Sequence, residues 1–140
     1  MTQPSDWNTR VIDEFRANSG KVGAFPNGLL LLHHTGARSG QERVSPLAYL
    51  PVDGGYAIFA TKAGAPDNPA WYHNLRANPQ ATIEIGTDRV PVTARVAGPD
   101  EREPIWTRQK ERNPGFAEYE RKTSRQIPVV ILEPARSVRG

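Results

Sequence analysis

Cysteine is absent and methionine occurs once. Disulfides, thiolate nucleophiles and cysteine-ligated zinc are excluded, and a chain without thiols suits a reducing compartment. Long hydrophobic runs are absent too. The longest aliphatic stretch, Leu29 to Leu32, falls far short of the roughly 20 apolar residues needed to span a bilayer. No charged-then-apolar leader opens the sequence. A cytoplasmic, soluble protein is expected, with peripheral contact at a membrane surface as the alternative. Charge of one sign does not dominate either. Lysine and arginine total 18 against 15 acidic residues, a net charge of +3. The two signs interleave, as in Asp100-Glu101-Arg102-Glu103. That pattern describes solvated faces, and no nucleic-acid partner is expected.

Turn formers are plentiful, with 12 glycines and 13 prolines, which favours a turn-rich β architecture over a helical bundle. Ser5 or Asp6 can cap a first helix over about 5–19, with Trp7, Val11, Ile12 and Phe15 on one stripe. Packing of this stripe on the domain is favoured over a membrane surface, because Asp13 and Glu14 flank a short apolar face. Gly28 to Thr35 reads as a strand buried on both faces, and Arg43 to Val52 as its return. Asp53-Gly54-Gly55 is a hairpin signal before a third strand, Tyr56 to Thr61. Asn68-Pro69 looks like a cap and first position of a short helix, with Trp71 and Leu75 on its buried face. Asn78-Pro79 ends that helix. The stretches 81–85 and 90–96 alternate with period two and predict an antiparallel hairpin. A helical region, 99–123, breaks at Asn113-Pro114-Gly115, and Ile127 to Leu132 supplies a sixth strand. The sum is one mainly β (α+β) domain over 1–140, a six-stranded barrel at about 28–135 with flanking helices.

Two stretches have the composition of a ligand site. The turn from Thr35 to Arg43, TGARSGQER, joins hydroxyls and glycines to two arginines. Its backbone donors can form a concave anion site, and Arg38 and Arg43 can pair with phosphate or carboxylate. A plain hairpin with solvated charges explains the same residues. The second stretch runs from Thr61 through Lys62, Ala63, Gly64, Ala65 and Pro66 into the short helix. Little side chain obstructs its backbone, and a helix start can seat an anion; an ordinary β-to-α connection fits as well. Neither stretch matches a P-loop or a dinucleotide fingerprint. His33 and His34 are consecutive on a strand and so face opposite ways, which argues against a shared metal. Ser39 and Ser45 have no nucleophile elbow around them.

The segments LLLLHHTGARSGQERVSPL, ATKAGAPDNPAWYHNLRANP and FAEYERKTSRQIPVVILEP resemble, in the same order, those of the deazaflavin-dependent nitroreductase family. The resemblance covers most of the chain from about Gly28 onward. It implies an FMN-binding-like split β-barrel that uses reduced coenzyme F420, an 8-hydroxy-5-deazaflavin, as hydride donor. It implies that Thr35, Arg38, Ser39 and Arg43 meet the cofactor's phosphate and glutamyl tail. It places Thr61, Lys62, Ala63, Gly64, Ala65 and Pro66 beside the deazaflavin ring, with Trp71 near the cofactor, Asn74 supporting the helix and Tyr119 at the substrate pocket. The chain departs from the family where His33-His34 replace threonines, where Ala37-Arg38 replace two basic residues, and where Ala63-Gly64 replace paired glycines.

Hydride chemistry belongs to the cofactor, so orientation and electrostatics are asked of the protein rather than a catalytic triad. The implied partner is a small electrophilic acceptor such as a quinone, a nitroaromatic or a conjugated enone. Two alternatives share the barrel: a protein binding FMN or haem, and a deazaflavin carrier without catalysis. Both a one-chain and an oligomeric pocket accommodate this chemistry.

Overall fold

The computed structural model describes residues 4–23, 28–61 and 68–134. The element order is α1 (Pro4–Ala17), β1 (Leu29–Thr35), β2 (Glu42–Ala48), β3 (Leu50–Val52), β4 (Gly55–Phe59), α2 (Ala70–Ala77), β5 (Gln80–Ile85), β6 (Asp88–Val96), α3 (Pro99–Arg112), α4 (Gly115–Lys122) and β7 (Val129–Pro134). The strands form one sheet in the order β2-β1-β5-β6-β7-β4-β3. Every pairing is antiparallel.

The strand expected over 43–52 divides at Tyr49, and seven strands result where six were expected. This division closes the barrel. β2 and β3 stand at opposite ends of the strand order, which in a flat sheet would be roughly 29 Å apart. A single residue, Tyr49, joins them, and two trans peptide units reach only about 7 Å. The sheet therefore curls until its two ends meet. The expected 81–96 hairpin is present, with Ile85 opposite Asp88 at its turn. The close of the first hairpin likewise sets Thr35 opposite Glu42.

Side chains alternate between an interior and two covered outer faces, as the pleat requires. Leu30, Leu32, Ile58, Ala60, Ile83, Val92, Val130 and Leu132 fill the interior with Trp71, Tyr72 and Leu75 of α2. Phe59, Val129 and Ile131 turn outward to Ile105 and Trp106 of α3 and Phe116 of α4. Leu29 and Leu31 turn outward to Val11 and Phe15 of α1. The stripe on α1 thus packs on the barrel. Trp7's side chain lies outside the described residues. Arg16 adds a two-pronged contact from α1 to Glu84 of β5, at 2.7 and 3.2 Å.

Helices α3 and α4 separate where expected. Asn113 Oδ1 accepts the Gly115 N–H at 3.2 Å, and the Trp106 indole N–H donates to Glu120 across the two helices. Gly55 marks a close backbone approach between β4 and β7, because a Cβ there would lie 2.2 Å from the Leu132 carbonyl oxygen. Gly55→Ala is expected to lower stability by about 1–3 kcal/mol through forced separation of β4 from β7. Urea unfolding measures this, and an unchanged midpoint would refute the close approach.

Candidate functional site

The turn between β1 and β2 is held from inside. Gly36 N–H donates to the Gln41 carbonyl at 2.8 Å, and Gly40 N–H to the Gly36 carbonyl at 2.9 Å. Ser39 Oγ accepts the Gln41 N–H at 3.2 Å. Ala37 N–H donates to Asn74 Oδ1 of α2 at 2.9 Å. Four of the donors expected to form a concave anion site are therefore used within the protein. The N–H groups of Arg38 and Ser39 make no hydrogen bond among the described residues. Arg38 and Arg43 are exposed, and neither makes an ion pair there. Arg43 leans over the turn, its Nε 3.5 Å from where a Cβ on Gly36 would stand. The two arginines frame one turn as the spacing predicted, and Thr35 stands half-buried at its base.

A buried polar relay joins this turn to α2. Asn74, 7% exposed, uses its oxygen for Ala37, so its amide nitrogen is the donor to His34 Nδ1 at 3.0 Å. His34 Nε2 then carries the proton and donates to Ser45 Oγ of β2 at 2.9 Å. Burial, then the nearby charges of Arg43 and His33, pushes the His34 pKa down to about 4. A neutral imidazole is what this donor order requires. The sequence-based expectation for Asn74 was support of its helix; its side chain instead fastens the helix to the turn.

His33 faces the other way, between Glu42 and Glu84, with both nitrogen–oxygen distances at 2.5 Å. The Arg16 guanidinium, with His33 behind it, pulls the Glu84 carboxyl down to about 2 against the opposing effect of burial. Among the described residues no group of three or more histidine and carboxylate side chains is arranged to hold a metal.

At the end of β4, Thr61 N–H donates to the Phe59 carbonyl at 2.9 Å. Lys62, Ala63, Gly64, Ala65 and Pro66 lie outside the described residues. Helix α2 starts at Ala70, with Pro69 in the cap position and no side-chain cap. Asn68, the expected cap, instead accepts from Arg125 at 2.7 Å. Trp71 is 7% exposed in the barrel interior, whereas Tyr119 packs half-buried on the outer cluster, its ring 5.5 Å from that of Phe116. The structure does not bring these two aromatics together. No local sequence pattern marks His34, Asn74 or Arg125 for these contacts, and only the pairing of polar side chains across distant segments reveals them.

Residues 7–134 match the sequence model of the F420H(2)-dependent quinone reductases. The chain belongs to that family. An F420H(2)-dependent quinone reductase of Mycobacterium tuberculosis is 40% identical over 124 residues, 84% of this chain and 83% of that protein. The solved structure of an F420-H2 dependent reductase, FDR-A, aligns with a TM-score of 0.69 at 42% identity, over 75% of this chain and 93% of its own. A second solved structure, described as a domain-swapped dimer, aligns with a TM-score of 0.72 at 38% identity, over 94% and 100%. Membership in the F420H(2)-dependent quinone reductase family selects F420 over FMN and haem. It also puts quinones ahead of nitroaromatics as the acceptor class. Among the described residues no helix is long and apolar enough to cross a membrane.

Proposed function

We propose that this protein binds reduced F420 along the 36–41 turn and the end of β4, and reduces a quinone-class acceptor. The observation that carries the placement is the pair of exposed arginines around a turn whose one acid, Glu42, is engaged by His33 and pairs with neither of them. That donor set fits a ligand with a phosphate and carboxylates on its tail: two guanidiniums, two unused N–H groups at Arg38 and Ser39, and the hydroxyls of Thr35 and Ser39. When bound, reduced F420 supplies the hydride. Arg38 and Arg43 hold the anionic tail; Asn74 and His34 keep the turn in register with α2; Thr61 and Trp71 bound the region beside the ring. Oxidation of reduced F420, followed optically with a quinone, a nitroaromatic and an enone, tests this reading. Turnover with the quinone is expected. Binding without turnover on any acceptor would favour the carrier alternative.

The family resemblance supports assigning Tyr119 to the acceptor side, and its phenol offers a flat apolar face and a hydroxyl for that role. Tyr119→Phe keeps the contact with Phe116 and loses the hydroxyl; Tyr119→Ala loses both. F420 affinity is expected to survive both changes. The alanine variant should lose about tenfold in turnover, roughly 1.4 kcal/mol, and the phenylalanine variant less. Wild-type rates with quinone and nitroaromatic in the alanine variant would exclude a role in acceptor contact.

A further inference from the structure

Arg125 lies in the bend between α4 and β7, and its side chain reaches two other parts of the chain at once. Nη1 donates to Asn68 Oδ1 at 2.7 Å, just ahead of α2. Nη2 donates to the carbonyls of Ala60 at 3.1 Å and Thr61 at 3.0 Å, just past β4. The bend that carries it is itself anchored. Arg125 N–H donates to Thr123 Oγ1, and the buried Arg102 of α3 donates to the Ile127 carbonyl at 3.0 Å. A guanidinium is planar and forked, so these three bonds, counted among the described residues, fix the separation of the two segments as well as their contact, which a lysine's single ammonium does not.

We infer that Arg125 is a positioning residue for the cofactor: it sets the end of β4, with Thr61, at a fixed spacing from the start of α2, with Trp71 and Asn74. The inference rests on the functional reading above. Asn74 in turn sets α2 against the turn bearing Arg38. One relay, Arg125 to Asn68, then α2 to Asn74 and Ala37, thereby aligns the three segments assigned to F420. Loss of Arg125 should cost cofactor affinity although no side chain assigned to the cofactor is removed.

The test uses Arg125→Gln, Arg125→Lys and Asn68→Ala in the full chain. Each is measured for thermal unfolding, for equilibrium binding of oxidised F420 and for steady-state rates with a quinone. Arg125→Gln is expected to raise the F420 dissociation constant at least tenfold, and Asn68→Ala, which frees one segment only, about threefold. Arg125→Lys should fall between wild type and glutamine. The KM for reduced F420 should rise in step, while kcat at saturating cofactor stays within about threefold of wild type. Amide exchange in the cofactor-free protein should quicken at Thr61 and at Tyr72, whose N–H donates to the Pro69 carbonyl at 3.1 Å, and stay unchanged at Leu31 and Ile83. A folded Arg125→Gln that binds F420 within twofold of wild type overturns the inference. If that variant does not fold, wild-type affinity in Asn68→Ala together with Arg125→Lys overturns it equally. Failure of the wild-type protein to bind F420 would instead overturn the functional reading, and the inference with it.

Discussion

Replacing Arg38 and Arg43 by alanine is expected to weaken F420 binding by about 1–3 kcal/mol at each position. Both side chains are exposed and have no carboxylate partner among the described residues, so their removal leaves no unpaired acid behind. Stability should therefore hardly change, and the loss should register in affinity. Arg43 lies over Gly36, two residues from Arg38 in the same turn; if both meet one anion, the double variant should lose less than the sum of the single losses. Wild-type affinity should fall as salt rises, since screening sets in over about 10 Å at roughly 0.1 M. The double variant should show a shallower salt slope. Equilibrium titration of F420 at two ionic strengths measures both quantities. Wild-type affinity in a folded double variant would remove the turn from the site.

The second large effect is on stability and comes from His34. Its ordinary pKa of 6.5 drops to about 4 in the fold, chiefly through burial. Between those values the unfolded chain takes up a proton that the folded chain refuses. Stability is complete above pH 6.5 and declines as the pH falls towards 4, by about 3 kcal/mol in all. The donor order explains the refusal: a proton on Nδ1 would meet the amide hydrogens of Asn74. Glu84 acts in a lower window. Its pKa falls from 4.5 to about 2, so its contribution is complete above 4.5 and is lost as the pH falls from there through 2. The two effects are therefore separable. Urea unfolding between pH 7 and 4 should show a declining midpoint in the wild type and a flatter one in His34→Gln, which can still hydrogen-bond but does not titrate. Equal wild-type midpoints at pH 7 and 4.5 would show that His34 is not held neutral by the fold.

Local grammar made most of the architecture readable. Alternation in 81–85 and 90–96 gave the hairpin, Asn113-Pro114-Gly115 gave the break between α3 and α4, and the consecutive histidines did face opposite sides. The bend at Tyr49 was not readable, because Arg43 to Val52 is one extended run and only the curl of the whole sheet assigns its halves to different partners. Asn68 misled for a related reason. An asparagine before Pro69 is a good local cap, yet Arg125, distant in sequence, holds its oxygen. The anion turn was visible as composition, but the use of four of its donors was not, since one of them is taken by Asn74 from another element. Periodicity reports which face a residue occupies; it is silent about polar partners from remote segments.

Tyr49 has a consequence for any attempt to cut or permute this chain. It belongs to no strand ladder: the pairing on one side ends at Ala48 opposite Leu29, and on the other begins at Leu50 opposite Ala57. A protease nick after Tyr49 would leave every ladder hydrogen bond standing and yet undo the only backbone link between β2 and β3. New termini placed at the Gly86-Thr87 turn would keep that link, whereas termini at Tyr49 would let the two outermost strands drift apart. Each would then offer its free side to another molecule, the arrangement that promotes aggregation. A covalent bend one residue long here performs the service that a row of hydrogen bonds performs in a fully closed barrel.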